Sequence, residues 1–278
     1  MRRKNRSFDP GWGEKETKES PYTSRRVDEA SAKPGQRRLA YFSSSPLLLR
    51  RLRARFRAKR AAIFRRIFPL TPDTRILDLG GSSGTHISAV LAGTDVDPSN
   101  CVIADVNRSA LDKAEAKFGF RTVALSPRDS VLPFAAASFD IVFCSSVLEH
   151  VTFPGPEYWE VTDGRVFRDC AHVQQAKFAA EIRRIGSGYF VQVPYRHFPV
   201  ETHTYLPFFQ YLRRRYQVAM MKHKRFRWLR QVPPDFYLPT RAEFQAYFPE
   251  ATIRFERVAG LVKSLIATKS SAGGGNST

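Results

Sequence analysis

One stretch constrains the chain more than any other: Arg75-Ile-Leu-Asp-Leu-Gly-Gly-Ser-Ser-Gly-Thr-His-Ile87. A short apolar run (Ile76, Leu77, Leu79) leads into a loop of small residues. Beyond the loop the apolar spacing becomes helical at Ile87, Val90 and Leu91. This predicts a strand, a tight turn and a helix. Gly80, Gly81 and Gly84 let the backbone turn sharply and let a ligand approach closely. Asp78 falls at the carboxyl end of the strand, the edge where open α/β sheets bind ligands. The dinucleotide spacing Gly-x-Gly-x-x-Gly is absent, and so is a strand-to-helix Gly-x-Ser-x-Gly elbow in register. A plain strand-to-helix turn is the alternative to a nucleotide site at this point.

The pattern continues downstream. Cys101-Val-Ile-Ala-Asp-Val106 is a second apolar run that ends in an acid. Asp105 then stands at the end of a second strand, where two carboxylate oxygens match two adjacent ribose hydroxyls; the alternative is a turn residue or helix cap. A short strand at Thr122–Leu125 precedes Asp129. Leu132-Pro-Phe134 and Ser138-Phe-Asp-Ile-Val-Phe-Cys-Ser-Ser-Val-Leu-Glu-His-Val151 follow. Asp140 starts the fourth strand and reads as structural.

In order and spacing, Asp78-x-Gly80-x-Ser82-x-Gly84, Asp105, Asp129, Leu132-Pro-Phe134, Ser138-Phe-Asp140 and Leu148-Glu-His150 resemble class I S-adenosylmethionine-dependent methyltransferases of the type 11 group. Ser82 replaces the middle glycine of the first motif. The resemblance covers about Ile76 to Val193. It implies an α/β fold: a Rossmann-like, doubly wound, seven-stranded, mostly parallel sheet whose last strand is antiparallel, with a helical insertion between strands five and six. It implies S-adenosylmethionine as cofactor, bound by Asp78, Gly80, Gly81, Ser82, Gly84, Asp105, Val106, Asp129, Ser130 and Ser145, with Asp129 on the adenine amino group.

The flanking segments are of another character. The chain of 278 residues carries a formal charge of +19, unevenly spread. Residues 31–72 hold no Asp or Glu but many arginines and lysines, and Arg213–Arg230 is basic again. Such a bias suits an anionic partner such as phospholipid, a phosphorylated glycan or nucleic acid, or else a solvated surface. Residues 1–40 read as a disordered basic tail. Residues 41–268 read as the methyltransferase domain and 269–278 as a flexible tail. Within the domain, a helix over 46–68 has Ser45 as cap and Pro46 in its first turn. Its apolar stripe is Leu48, Leu49, Leu52, Phe56, Ile63, Ile67 and Phe68, with arginines on the other face. It fits either a membrane surface or a helix packed on the sheet.

Residues 152–170 read as a long loop, and Ala171–Ile185 as a helix ended by Gly186. Tyr189–Val193 reads as the fifth strand. Pro194-Tyr-Arg-His-Phe-Pro-Val-Glu-Thr-His203 follows it and is similar to a subset of these enzymes associated with glycans or lipid-linked molecules. His197, Glu201 and His203 in this loop, together with His150, are the candidate catalytic residues; imidazole suits a general base near neutral pH. Backbone pairing by these histidines is the alternative. No His or Cys spacing suggests a metal site. Aromatics interleave with cations from Tyr205 to Arg230, within an insertion of about 195–235. That suits lipid, single-stranded nucleic acid or simple core packing. Thr240-x-x-Glu243 is a capping box.

No apolar run approaches 18 residues, and the amino terminus lacks a secretory pattern. Three scattered cysteines suggest a reducing compartment, with Cys101 and Cys144 as core thiols. The expected location is cytoplasmic, with a peripheral place on the inner face of a membrane left open. The expected activity is methyl transfer to a hydroxyl or other nucleophile of a small-molecule, glycan or lipid-linked acceptor. Nucleic acid is the lesser candidate, because strand four lacks the Asn/Asp-Pro-Pro-Tyr/Phe type of motif. The opposing reading is a degenerate fold serving as a basic membrane or RNA adaptor.

Overall fold

The computed structural model describes residues 47–127, 131–153, 155–223 and 233–270, with side chains from 54 onward. The chain divides into two units, Met1–Arg50 and Arg51–Thr278. Of the first, only the opening of one helix is described, and the sheet and site belong to the second. The expectations for residues 1–40 and 271–278, and for Asp129, Ser130 and the basic run 224–232, fall outside the described residues.

The short apolar runs are strands of one sheet. They are β1 (Ile76–Leu79), β2 (Cys101–Asp105), β3 (Arg121–Ala124), β4 (Phe139–Ser145), β5 (Gly186–Pro194), β6 (Thr252–Val258) and β7 (Leu261–Lys269). Their order is β3-β2-β1-β4-β5-β7-β6. The first five pair in parallel, while β7 is antiparallel to both β5 and β6. This is the expected seven-stranded sheet with a reversed last strand. Successive strands run outward from β1 in one direction and then, from β4, in the other. The crevice at this switch lies outside the carboxyl ends of β1 and β4.

Side chains alternate between two buried layers, as the two-residue period of a strand requires. Leu77, Leu79, Val142, Tyr189 and Val191 pack on one face, under α4 (Gly164–Ile185) and α6 (Arg241–Tyr247). Ile76, Ile103, Phe143 and Phe190 pack on the other, under α1 (Leu47–Ile67), α2 (Thr85–Leu91) and α3 (Arg108–Phe118). Cys101 and Cys144 are buried thiols, as read from the sequence. Among the described residues no helix is long and apolar enough to cross a membrane.

Three local expectations change. The buried face of α1 centres on Arg60, Ala61, Phe64 and Phe68, whereas Phe56, Ile63 and Ile67 are half-buried at its margins. Phe64, missing from the expected stripe, lies edge-on to Phe143 at 5.6 Å and Phe190 at 5.8 Å. Arg60 is not on the outer face; it forms a two-pronged bond to Glu256 on β6, at 3.1 and 2.9 Å. Glu256 is fully buried and also lies 3.6 Å from Lys263 Nζ; loss of one partner of a buried pair costs about 3–5 kcal/mol. α4 begins at Gly164, inside the expected loop, because the Asp163 side chain accepts from the Arg165 and Val166 amides and caps it. Gly186 does end α4, but in extended backbone, since β5 starts on that residue. Between β5 and β6 the insertion holds α5 (Arg214–Lys222) and an extended run at 233–240 before α6, whose capping box forms as expected.

Candidate active site

A cleft of about 940 Å³ opens at the carboxyl ends of the strands. Gly80, Asp105 and Val106 line one side of it; His150, Tyr158 and Asp235 line the other.

The glycine loop is shaped by close approach. Gly80 has φ of +76°, and a Cβ there would sit 2.4 Å from Val147 Cγ2. A Cβ on Gly81 would sit 2.2 Å from Asp78 Oδ2. Ser82 is itself left-handed, at φ 51°. Its amide donates to Asp105 Oδ2 at 2.8 Å, and the Asn107 amide donates to Asp105 Oδ1 at 2.8 Å. Asp105 thereby ties the loop after β1 to the end of β2. Each of its oxygens keeps a further lone pair, and the residue is half-exposed at the cleft wall.

Asp78 is buried, and among the described residues its Oδ2 has no hydrogen-bond partner. Burial, with a smaller push from Asp105, raises its carboxyl to about 8. A buried acid with an unanswered oxygen beneath a loop that admits no Cβ suits a ligand carrying amine and hydroxyl donors. Ser145 is directed elsewhere: its hydroxyl donates to Gln192 Oε1 at 2.8 Å and receives Arg60 at 3.4 Å. Ser146, next to it, lines the cleft.

Three of the four candidate catalytic residues come together. His150 ends the short turn after β4, and its Nδ1 lies 3.0 Å from Asp235 Oδ1. The ring of His203 meets the His150 ring edge-on, with centroids 4.8 Å apart. His203 also stacks on Phe236 at 4.3 Å. Its Nδ1 donates to Glu201 Oε1 at 2.6 Å. Glu201 further accepts from the amides of His203 and Thr204 and from the Thr204 hydroxyl. Burial pushes Glu201 upward, but the His203 and Thr204 bonds outweigh it and hold the carboxyl below its ordinary range. Burial likewise lowers His150, yet the Asp235 bond and the charges of Glu149, Asp235 and Glu201 leave it raised. His197 stands apart: it is exposed, with its Nδ1 2.7 Å from the Tyr211 hydroxyl.

Asp235 had no part in the sequence reading, although it follows Pro233-Pro234 directly. The segment is strapped to the turn after β4. The Thr152 hydroxyl donates to the Asp235 carbonyl at 2.5 Å, and the Tyr237 amide donates to the Glu149 carbonyl at 2.8 Å. A carboxylate directly after a rigid diproline was the signal available.

Residues 77–187 match the family model described as a methyltransferase domain. The match indicates S-adenosylmethionine as the cofactor. No curated protein matches the chain. Among solved structures, it is similar to a SAM dependent methyltransferase from Aquifex aeolicus, with 13% identity over 74% of this chain and 87% of that one, at a TM-score of 0.41. It is also similar to the complex of the Haloferax volcanii Trm112 methyltransferase activator and a methyltransferase, with 13% identity over 77% and 87% at 0.43. A third is the small RNA methyltransferase HEN1, with 15% identity over 77% and 25% at 0.44. These likenesses are loose, and the strand order carries the fold.

Proposed function

Starting from a methyltransferase domain over residues 77–187, we propose that the protein moves a methyl group from S-adenosylmethionine to a hydroxyl or other nucleophile of a small-molecule, glycan or lipid-linked acceptor. The observation that carries this is a single cleft lined by the Gly80–Asp105–Val106 wall and by His150 with its partner Asp235. The cofactor, when bound, supplies a methyl on a sulfonium whose leaving group is already activated, so the protein mainly aligns the reactants.

Gly80, Gly81 and Asp78 would face the amino-acid end of the cofactor, and Asp105 the ribose. Val106, beside Asp105, offers an apolar contact at 58% exposure. With Nδ1 held by Asp235, His150 has Nε2 left to receive or orient an acceptor proton. Glu201 and His203 act as positioning residues behind it. The exposed Phe208, Tyr211 and Tyr216, close in the chain to Arg213 and Arg215, favour an acceptor that is both anionic and apolar. Arg214, between those two cations, serves packing: it sits 3.6 Å over the Phe167 ring and donates to the Tyr158 and Val161 carbonyls.

Calorimetric titration with S-adenosylmethionine and S-adenosylhomocysteine tests the reading. Affinity in the micromolar range is expected for either. A folded sample that binds neither would return the protein to the adaptor reading, and liposome flotation against a salt-dependent RNA shift would then choose the partner.

A further inference from the structure

Behind the cleft wall, Glu149 is 0% exposed, and among the described residues neither carboxylate oxygen has a hydrogen-bond partner. Such a group costs several kcal/mol unless a proton or a cation answers it. Two imidazoles surround it. His203 Nε2 lies 3.9 Å from Glu149 Oε1. His150 is the next residue in the chain, and one donor atom from each of Glu149, His150 and His203 lies within 4.8 Å of the others.

The orientation of the two rings is informative. His150 gives Nδ1 to Asp235 and His203 gives Nδ1 to Glu201, so each has Nε2 left over. A carboxylate on the far nitrogen is the usual second partner of a metal-bound imidazole; it fixes the tautomer and raises ligand basicity. A single such pair is common in proteins. Here there are two, one with its Nε2 3.9 Å from a buried carboxylate and the other with a ring nitrogen within 4.8 Å of both, and together they form a built site.

We propose that Glu149, His150 and His203 bind one divalent transition-metal ion, through one carboxylate oxygen and two imidazole nitrogens. Imidazole ligands suit zinc, copper, iron or nickel better than magnesium or calcium. Metal–nitrogen bonds of about 2.0–2.1 Å need donors about 3.3 Å apart, so the three side chains close inward by roughly an ångström on binding. His150 also lines the cleft, so the open coordination positions face it. Binding of the ion stands on this geometry alone. Its use rests on the methyl-transfer reading: an acceptor hydroxyl held on the ion would become more acidic and give its proton to solvent, so that His150 would serve as a ligand and no longer as the base.

The test uses the full chain, freed of metal by chelation and dialysed against zinc, manganese or cobalt. One equivalent bound at micromolar concentration is expected, with a visible cobalt spectrum showing mixed nitrogen and oxygen ligation. Glu149→Gln, nearly isosteric, and His203→Ala should each weaken binding at least about tenfold, and Asp235→Asn about tenfold through ring orientation. His223→Ala, at an exposed position, should leave it unchanged. Circular dichroism establishes folding, and Glu149→Gln decides should His203→Ala fail to fold. A folded wild type that takes up no metal, or a Glu149→Gln variant that binds as tightly, would overturn the site and assign Glu149 to a shared proton with His203. Titrating the same samples with S-adenosylmethionine keeps the two readings separate. Cofactor binding without metal defeats only the metal site; metal binding without cofactor defeats only methyl transfer.

Discussion

On the β1–β2 side of the cleft, the carboxylate at the cleft wall is answered by nearby backbone. Asp105 accepts from Ser82 and Asn107, and the loop's shape comes from glycines within a few residues of Asp78. On the β4–β5 side, His150 meets side chains from distant segments: Asp235 reaches it from the end of the insertion, and His203 from the loop after β5. The first half is a local motif that one stretch can encode. The second exists only when the turn after β4, the loop after β5 and the 233–240 segment close together. Changes in the first half should therefore act on cofactor and loop, and changes in the second on the histidine cluster without touching cofactor affinity.

The largest expected effect lies in the first half and concerns pH. Asp78 has an ordinary value of 3.8 when unfolded and about 8 when folded. Between those values the folded chain keeps a proton that the unfolded chain has lost. Its contribution to stability is thus full below about pH 4, falls as pH rises, and is gone by about pH 8, a change on the order of a few kcal/mol. Chemical denaturation of wild type and Asp78→Asn across this range should show the slope and its loss; equal slopes would mean that Asp78 ionises freely in the fold.

Gly80→Ala comes next. Its φ of +76° and the 2.4 Å approach to Val147 should cost about 1–3 kcal/mol, read as a lower melting temperature. An unchanged melt would show that the loop moves freely against Val147. In the second half, Asp235→Asn removes the bond that raises His150, so the His150 titration in metal-free protein should move downward in nitrogen-resolved NMR. A titration that stays in place would detach Asp235 from the cluster.

The same contrast explains what could be read in the sequence. The strand-loop-helix at 75–87, the acid that ends β2 and the capping box are set by neighbours in the chain, so periodicity and small motifs reveal them, whereas the seven-stranded sheet is implied only by the family resemblance. Phe64 escaped because a stripe picked by apolar spacing does not say which line of the helix meets the sheet. Arg60 escaped because its partner Glu256 lies on β6, far along the chain. Glu149, His150 and His203 have no ligand spacing in sequence because the fold brings them together, and Asp235 meets His150 from 85 residues along the chain.

Calorimetry on three proteins tests the division of the cleft most directly. The wild type should bind S-adenosylmethionine. Asp105→Ala should bind it at least about tenfold more weakly, since an ionised acceptor is lost. His150→Ala should stay within about twofold of wild type, as a site independent of the cofactor wall. Equal affinity in wild type and Asp105→Ala, or a large loss in folded His150→Ala, would contradict it.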